Sequence, residues 1–217
     1  MAYKIGYIDE DEGWKSTFYH AFSDDFEVVV FDLSEYITAE ALLDQIFSAS
    51  LDMLVIDFLL VESGVLDFNA DRIVELIQER NLYYPLIILT SNETDALDHI
   101  ENVNLINGKD MLGSEGDNSK TEILKHKFTK IIESYKQKLE GSEAELSALE
   151  TKRNENGLDP DEEDKYVELN SYLDNVSTSK GRISRTFYSE DTNKRLDDLI
   201  KKTQSIIELI EKDQNKA

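Results

Sequence analysis

The chain is 217 residues long, 40% hydrophobic and 32% charged, and its 46 Asp and Glu against 23 Lys and Arg give a formal charge of −23. Such acidity repels nucleic-acid phosphates and anionic lipid head groups and argues against both as direct partners. The absence of cysteine excludes disulfides, thiolate metal sites and a cysteine nucleophile. Met1-Ala2-Tyr3-Lys4-Ile5 lacks the apolar stretch of a signal peptide. No apolar run approaches the roughly 18 residues that span a bilayer, so a cytoplasmic protein is expected.

The charge is unevenly spread. Residues 1–112 hold 23 acidic residues and only five basic ones (Lys4, Lys15, Arg72, Arg80 and Lys109), a net −18, whereas the remainder is close to balanced at −5. In the first part short apolar runs alternate with helical patterns. Tyr3–Ile8, Phe26–Phe31, Met53–Ile56, Leu86–Leu89 and Val103–Ile106 read as strands covered on both faces. Helices are expected near 14–22, 39–49, 68–80 and 93–100, with Thr38 and either Ser91 or Asn92 as caps. Asp11 and Glu12 suit the start of the first helix, where acids meet the helix dipole. Strict alternation with short connections implies a doubly wound, five-stranded parallel sheet in an α/β domain. The turn formers Gly113-Ser114-Glu115-Gly116-Asp117-Asn118-Ser119 then separate an α/β domain over 1–118 from a helical domain over 119–217.

In a sheet of this kind chemistry sits beyond the carboxyl ends of the strands. The first strand ends in Asp9-Glu10-Asp11-Glu12, the third in Asp57, the fourth in Thr90-Ser91, and Lys109 follows the fifth. Parallel strands bring these groups to one edge. Clustered carboxylates repel one another and need a cation, and hard oxygen donors suit Mg²⁺. A carboxylate beside that cation can attack phosphorus and form an aspartyl phosphate. Asp57, at the end of a buried apolar strand, is the best-placed nucleophile, with Thr90 and Lys109 as partners for the phosphoryl oxygens. A single Asp at a strand end is usually a turn or cap residue, and an isolated Lys is usually a surface group. The joint placement on four strand ends is what carries the reading.

That pattern resembles the receiver domain of two-component response regulators over about residues 1–112. The family places an acidic pair after the first strand (here Asp9 and Glu10), the phosphoacceptor after the third (Asp57), Thr or Ser after the fourth (Thr90) and Lys after the fifth (Lys109). The resemblance implies a flavodoxin-like fold and Mg²⁺ held by Asp9, Glu10, Asp57 and the backbone carbonyl of Leu59. It also implies phosphorylation of Asp57 by a histidine kinase or phosphotransfer protein, with no enzymatic turnover of an external substrate. Departures fall on the readout: Asp110 replaces the usual Pro after the Lys, Ile106 stands where the switch aromatic belongs, and Val61 occupies the place of a loop Pro, with Gly64 loosely matching the following Gly. The alternatives are a pseudo-receiver scaffold that is never phosphorylated, a phosphate-buffering receiver without output, and, with less to support it, a phosphotransfer or phosphohydrolase enzyme on a similar sheet.

From Ser119 the pattern turns helical. Leu124, Phe128, Ile131, Ile132, Tyr135 and Leu139 share one face, so a helix is expected over about 119–153, its first turns packing on the sheet and Gly141 its weak point. Ser119 and Glu122 have the spacing of a capping box. Asp159-Pro160 starts a second helix carrying Tyr166, Leu169, Tyr172, Leu173 and Val176, Ser177–Gly181 breaks it, and a third is expected near 190–212. The helices suggest a bundle or coiled coil, either purely structural or docking a protein partner or a second copy. Lys180, Arg182 and Arg185 read as a solvated basic loop or as a dock for the acidic part. His126 lacks the surroundings of a phosphotransfer histidine, and His20 and His99 show no metal-ligand spacing.

Overall fold

Strand and helix alternate in the order β1 (Lys4–Ile8), α1 (Glu12–Phe22), β2 (Glu27–Val30), α2 (Ala39–Ser48), β3 (Met53–Ile56), α3 (Ala70–Arg80), β4 (Leu86–Thr90), α4 (Glu93–His99), β5 (Ile106–Gly108), α5 (Ser119–Asn156) and α6 (Pro160–Val176). This computed structural model describes residues 2–33, 37–61, 64, 66–113, 118–176, 199–204 and 207. The sheet is parallel throughout with strand order β2-β1-β3-β4-β5, the flavodoxin-like α/β arrangement, and a helical region follows it. The backbone divides into two units, Met1–Lys138 and Leu139–Ala217, and α5 contributes residues to both.

Period-two alternation along the strands builds two cores. Ile8, Leu54, Ile56 and Ile88 join Leu42, Ile46, Ile73, Ile77 and Ala96 from α2, α3 and α4. Ile5, Tyr7, Met53, Val55, Ile87 and Leu89 meet Phe18 and Phe22 of α1 and Leu124, Phe128 and Ile132 of α5. Gly6 is required by packing: a Cβ there would stand 2.4 Å from Leu51 Cδ1 and 3.0 Å from Phe31 Cε2. The first turns of α5 belong to the sheet unit. Phe128 stacks on Phe22 at 5.1 Å, Lys125 pairs with Asp25 at 2.7 Å, Lys136 with Asp52 at 2.6 Å, and Asn81 Nδ2 donates to the Tyr135 hydroxyl at 3.0 Å.

Helix starts follow their caps. The Asp11 side chain accepts from Trp14 N–H at 2.9 Å, and Thr38 accepts from Ala41 N–H at 3.2 Å. The fifth strand differs from the apolar run that announced it. Val103–Leu105 forms a 3₁₀ turn, and β5 comprises only Ile106–Gly108. Asn102 caps that turn by accepting from Asn104 N–H at 3.3 Å, and Val103 is half exposed, so the run never needed two covered faces. Gly141 does not interrupt α5.

In the second unit Gly157, at φ 78°, closes α5 in the left-handed region, its N–H donating to Arg153 C=O at 3.2 Å. Asp159 and Glu162 exchange hydrogen bonds at 3.1 and 3.0 Å, a reciprocal box that starts α6 with Pro160 as its first residue. Lys152 pairs with Glu162, Arg153 pairs with Glu163 at 3.3 Å and lies 4.6 Å from the Tyr166 ring, and Leu169, Tyr172 and Val176 are buried. Among the described residues no helix is long and apolar enough to cross a membrane. The break at Ser177–Gly181, the basic run Lys180, Arg182 and Arg185, and most of the third helix lie outside the described residues; 199–204 within it are helical.

Phe128 is the test of how α5 is held. Phe128→Ala is expected to cost ~3–5 kcal/mol of unfolding free energy, whereas Ile123→Ala on the exposed side of the same helix stays within ~0.5 kcal/mol. Chemical denaturation of the two variants checks this.

Candidate functional site

Register brings the predicted residues together. Ile8 pairs with Ile56 and Ile56 with Ile88, so Asp9 and Asp57 leave adjacent strands at the same height. Thr90 pairs with Gly108, which sets Lys109 one residue beyond it. Asp9 and Thr90 are fully buried, Asp57 is 3% exposed and Lys109 4%.

Lys109 Nζ bridges two carboxylates, at 2.8 Å from Asp9 Oδ2 and 3.1 Å from Asp57 Oδ2. Asp9 is further satisfied by the Tyr7 hydroxyl, which donates to Oδ2, and by Asp11 N–H, which donates to Oδ1 at 3.0 Å. By contrast, Glu10 Oε2 and Asp57 Oδ1 are buried with no hydrogen-bond partner. The Thr90 hydroxyl, at the end of the neighbouring strand, accepts from Asn92 N–H at 3.1 Å. Asn92 precedes α4 as its cap residue without a side-chain cap bond, so this backbone contact does the local ordering. On the loop after Asp57, Asn69 Oδ1 accepts from Leu60 N–H at 3.0 Å and Val61 N–H at 3.3 Å, and Ala70 N–H donates to Phe58 C=O at 3.0 Å. These bonds pin the segment that carries Leu59.

The electrostatics follow from burial. Burial pushes the Asp57 carboxyl above its ordinary value, against the pull of the Lys109 ammonium. Burial, then the charges of Asp9 and Asp57, push Glu10 up to about 7, with its backbone hydrogen bond and Lys109 opposing. Burial alone would lower Lys109, but its hydrogen bond to Asp9 and the Asp57 and Asp9 charges leave it raised and charged. Burial, followed by the Asp9 charge, drives the Tyr7 phenol far above its ordinary range, so it stays a donor.

Oxygen atoms of Asp9, Glu10 and Asp57 all lie within 4.8 Å of one another. Three carboxylates against one ammonium, two of them presenting buried oxygens without donors, could hold a metal cation. Glu10 and Asp57 offer the free oxygens, whereas protein donors already occupy those of Asp9.

Two participants escaped the reading of motifs. Tyr7 lies two residues before Asp9, and period two is the signal that puts them on one side of the strand. Trp14 of α1 places its ring 5.1 Å from Lys109 Nζ. Other candidates fall elsewhere. His126 lines a surface cavity of about 420 Å³ with Tyr3, Asp25, Phe26 and Lys125, next to residues that precede β1 and β2. His20 sits in the last turn of α1, and His99 bonds Asp95 C=O at 2.8 Å with its ring 5.7 Å from that of Phe58.

The raised Glu10 has a consequence for the metal-free protein. Between its ordinary 4.5 and about 7 the folded chain holds a proton that the unfolded chain has released. The Glu10 contribution to stability is therefore full below 4.5 and lost as pH rises through about 7. Thermal melts in EDTA check this: the melting temperature of wild type, relative to that of Glu10→Gln, falls across this window. A flat difference contradicts it.

No family model and no curated protein matches this chain. A solved structure of a yeast Spc42 trimeric coiled-coil segment (amino acids 181–211) fused to another structure is similar over 70% of this chain and 96% of its own, with 17% identity and a TM-score of 0.48. A likeness of that size carries neither a family nor a function.

Proposed function

We propose that this chain is a cytoplasmic signalling receiver that takes a phosphoryl group onto Asp57 from a histidine kinase or phosphotransfer protein, with Mg²⁺ required. The observation that carries the reading is the buried Oδ1 of Asp57, which has no partner while Lys109 bonds the other oxygen. One oxygen is committed to an ammonium and the other is free to attack. In the transfer an O–P bond forms at Asp57 as the N–P bond of the donor phosphohistidine breaks, and the leaving imidazole nitrogen keeps the electron pair.

Bound Mg²⁺ would neutralise charge on the transferred group's oxygens. Glu10 and Asp57 would hold it directly, with Asp9 beside them and the Leu59 carbonyl on the pinned loop completing the set. Lys109 exchanges its contacts with Asp57 and Asp9 for one with a phosphoryl oxygen, and the Thr90 hydroxyl supplies a second donor. Burial of Asp9, Asp57, Thr90 and Lys109 limits access of bulk water to the acyl phosphate. The output is protein–protein contact through the helical region, with a partner or a second copy, because a formal charge of −23 repels nucleic-acid phosphates.

A second reading has an observation of its own. Lys109 already bridges Asp9 and Asp57, as it would in a scaffold that binds partners and is never phosphorylated. Metal and phosphate separate the two. With acetyl phosphate and Mg²⁺, wild type is expected to give a retarded band on Phos-tag gels that is lost in EDTA and in Asp57→Asn. Lys109→Ala is expected to slow its appearance about 10²-fold. An unshifted wild type, or a shift retained in Asp57→Asn, overturns the phosphoacceptor reading.

A further inference from the structure

We infer that Tyr7 is a positioning residue of the phosphoacceptor site: its hydroxyl holds Asp9 so that Lys109 can leave that carboxylate for the incoming phosphoryl group. The inference rests on the reading of Asp57 above and adds a group that motif matching does not supply. Tyr7 is fully buried, and its ring lies 3.9 Å from that of Phe18 at an interplanar angle of 4°. The stack fixes the phenol, and its hydroxyl donates to Asp9 Oδ2, the oxygen that Lys109 also bonds.

Two donors on one oxygen have different fates during transfer. Lys109 must move toward the phosphoryl group, whereas Tyr7 is immobilised in the core. Without Tyr7, departure of Lys109 would strip Asp9 Oδ2 of both side-chain donors and leave a buried acceptor unsatisfied, which is strongly disfavoured. With Tyr7 the oxygen keeps one donor throughout. Asp11 N–H holds Oδ1 in the same way, so the carboxylate is fixed at both ends. The free oxygens of Glu10 and Asp57 are then the ones that meet the metal. Partners that orient a carboxylate beside a metal set its affinity through geometry.

The experiment uses the full chain as wild type, Tyr7→Phe, Phe18→Leu and Asp57→Asn, titrated with MgCl₂ by calorimetry and phosphorylated with acetyl phosphate at saturating Mg²⁺. Tyr7→Phe keeps the ring and its stack, and is expected to melt close to wild type. Its Mg²⁺ dissociation constant is expected to rise about tenfold, and its phosphorylation rate at saturating Mg²⁺ to fall by a similar factor. Phe18→Leu disturbs the stack but leaves the hydroxyl in place; it is expected to melt earlier with wild-type Mg²⁺ affinity. Wild-type affinity and rate in Tyr7→Phe overturn the inference, as does an equal loss in Phe18→Leu, because ring packing would then account for the effect. If wild type binds no Mg²⁺, or Asp57→Asn binds it equally well, the phosphoacceptor reading falls and this one with it. If those two behave as expected and only Tyr7→Phe is unchanged, the role of Tyr7 alone is wrong.

Discussion

Everything at the carboxyl edge of the sheet depends on one ammonium shared by two buried carboxylates. Lys109 reaches Asp9 and Asp57 at 2.8 and 3.1 Å while only 4% exposed. Desolvating those three charges costs several kcal/mol per ion, and removing one member of such a group typically costs ~3–5 kcal/mol. The arrangement survives because apolar strands hold the groups and β1, β3, β4 and β5 share a register. A one-residue slip of β3 would send Asp57 to the opposite side of the sheet. The two cores that cover the sheet therefore do more than stabilise it: they fix which oxygens face the ammonium and which remain free.

Charge balance explains why the bridge leaves something over. One ammonium cannot neutralise three carboxylates, and the surplus appears on Glu10, whose pKa is pushed up to about 7 first by burial and then by the neighbouring acids. The net −18 of residues 1–112 adds a negative surroundings that favours any cation approaching the edge. Among the described residues three of those acids converge within 4.8 Å, and most of the others lie at the surface. Some of that surface is cross-braced: Arg72 meets Glu40 at 3.1 Å and Arg80 meets Asp44 at 3.1 Å, tying α2 to α3.

The fold was legible wherever one physical demand dominated. The runs Met53–Ile56 and Leu86–Leu89 must be covered on both faces, and only a parallel sheet between helices does that. Asp9, Asp57, Thr90 and Lys109 were legible because strand ends are discrete places in a sequence. Val103–Ile106 misled because an apolar run of four residues does not distinguish a strand from a turn, and the capping side chain of Asn102 decided for the turn. Tyr7 was hidden for a related reason: within Ile5-Gly6-Tyr7-Ile8 it reads as core, and only the reach of a phenol past its own ring makes it a polar participant. Asn69, pinning the loop after Asp57 from nine residues away, gave no local signal.

Of the departures from the receiver pattern, the one directly after Lys109 has a mechanical sense in the structure. Asp110, standing where that family has Pro, pairs with Lys120 of α5 at 2.6 Å, so an ion pair ties the end of β5 to the helix that follows. The carboxylates of Asp110 and Glu93 close over Gly108 so tightly that a Cβ there would stand 2.5 and 2.6 Å from their oxygens. A Cβ at 108 would displace only the ends of those two exposed side chains, whereas one at Gly6 would meet the packed side chains of Leu51 and Phe31. The ammonium at residue 109 is framed by Asp9 and Asp57, with the Trp14 ring of α1 5.1 Å away.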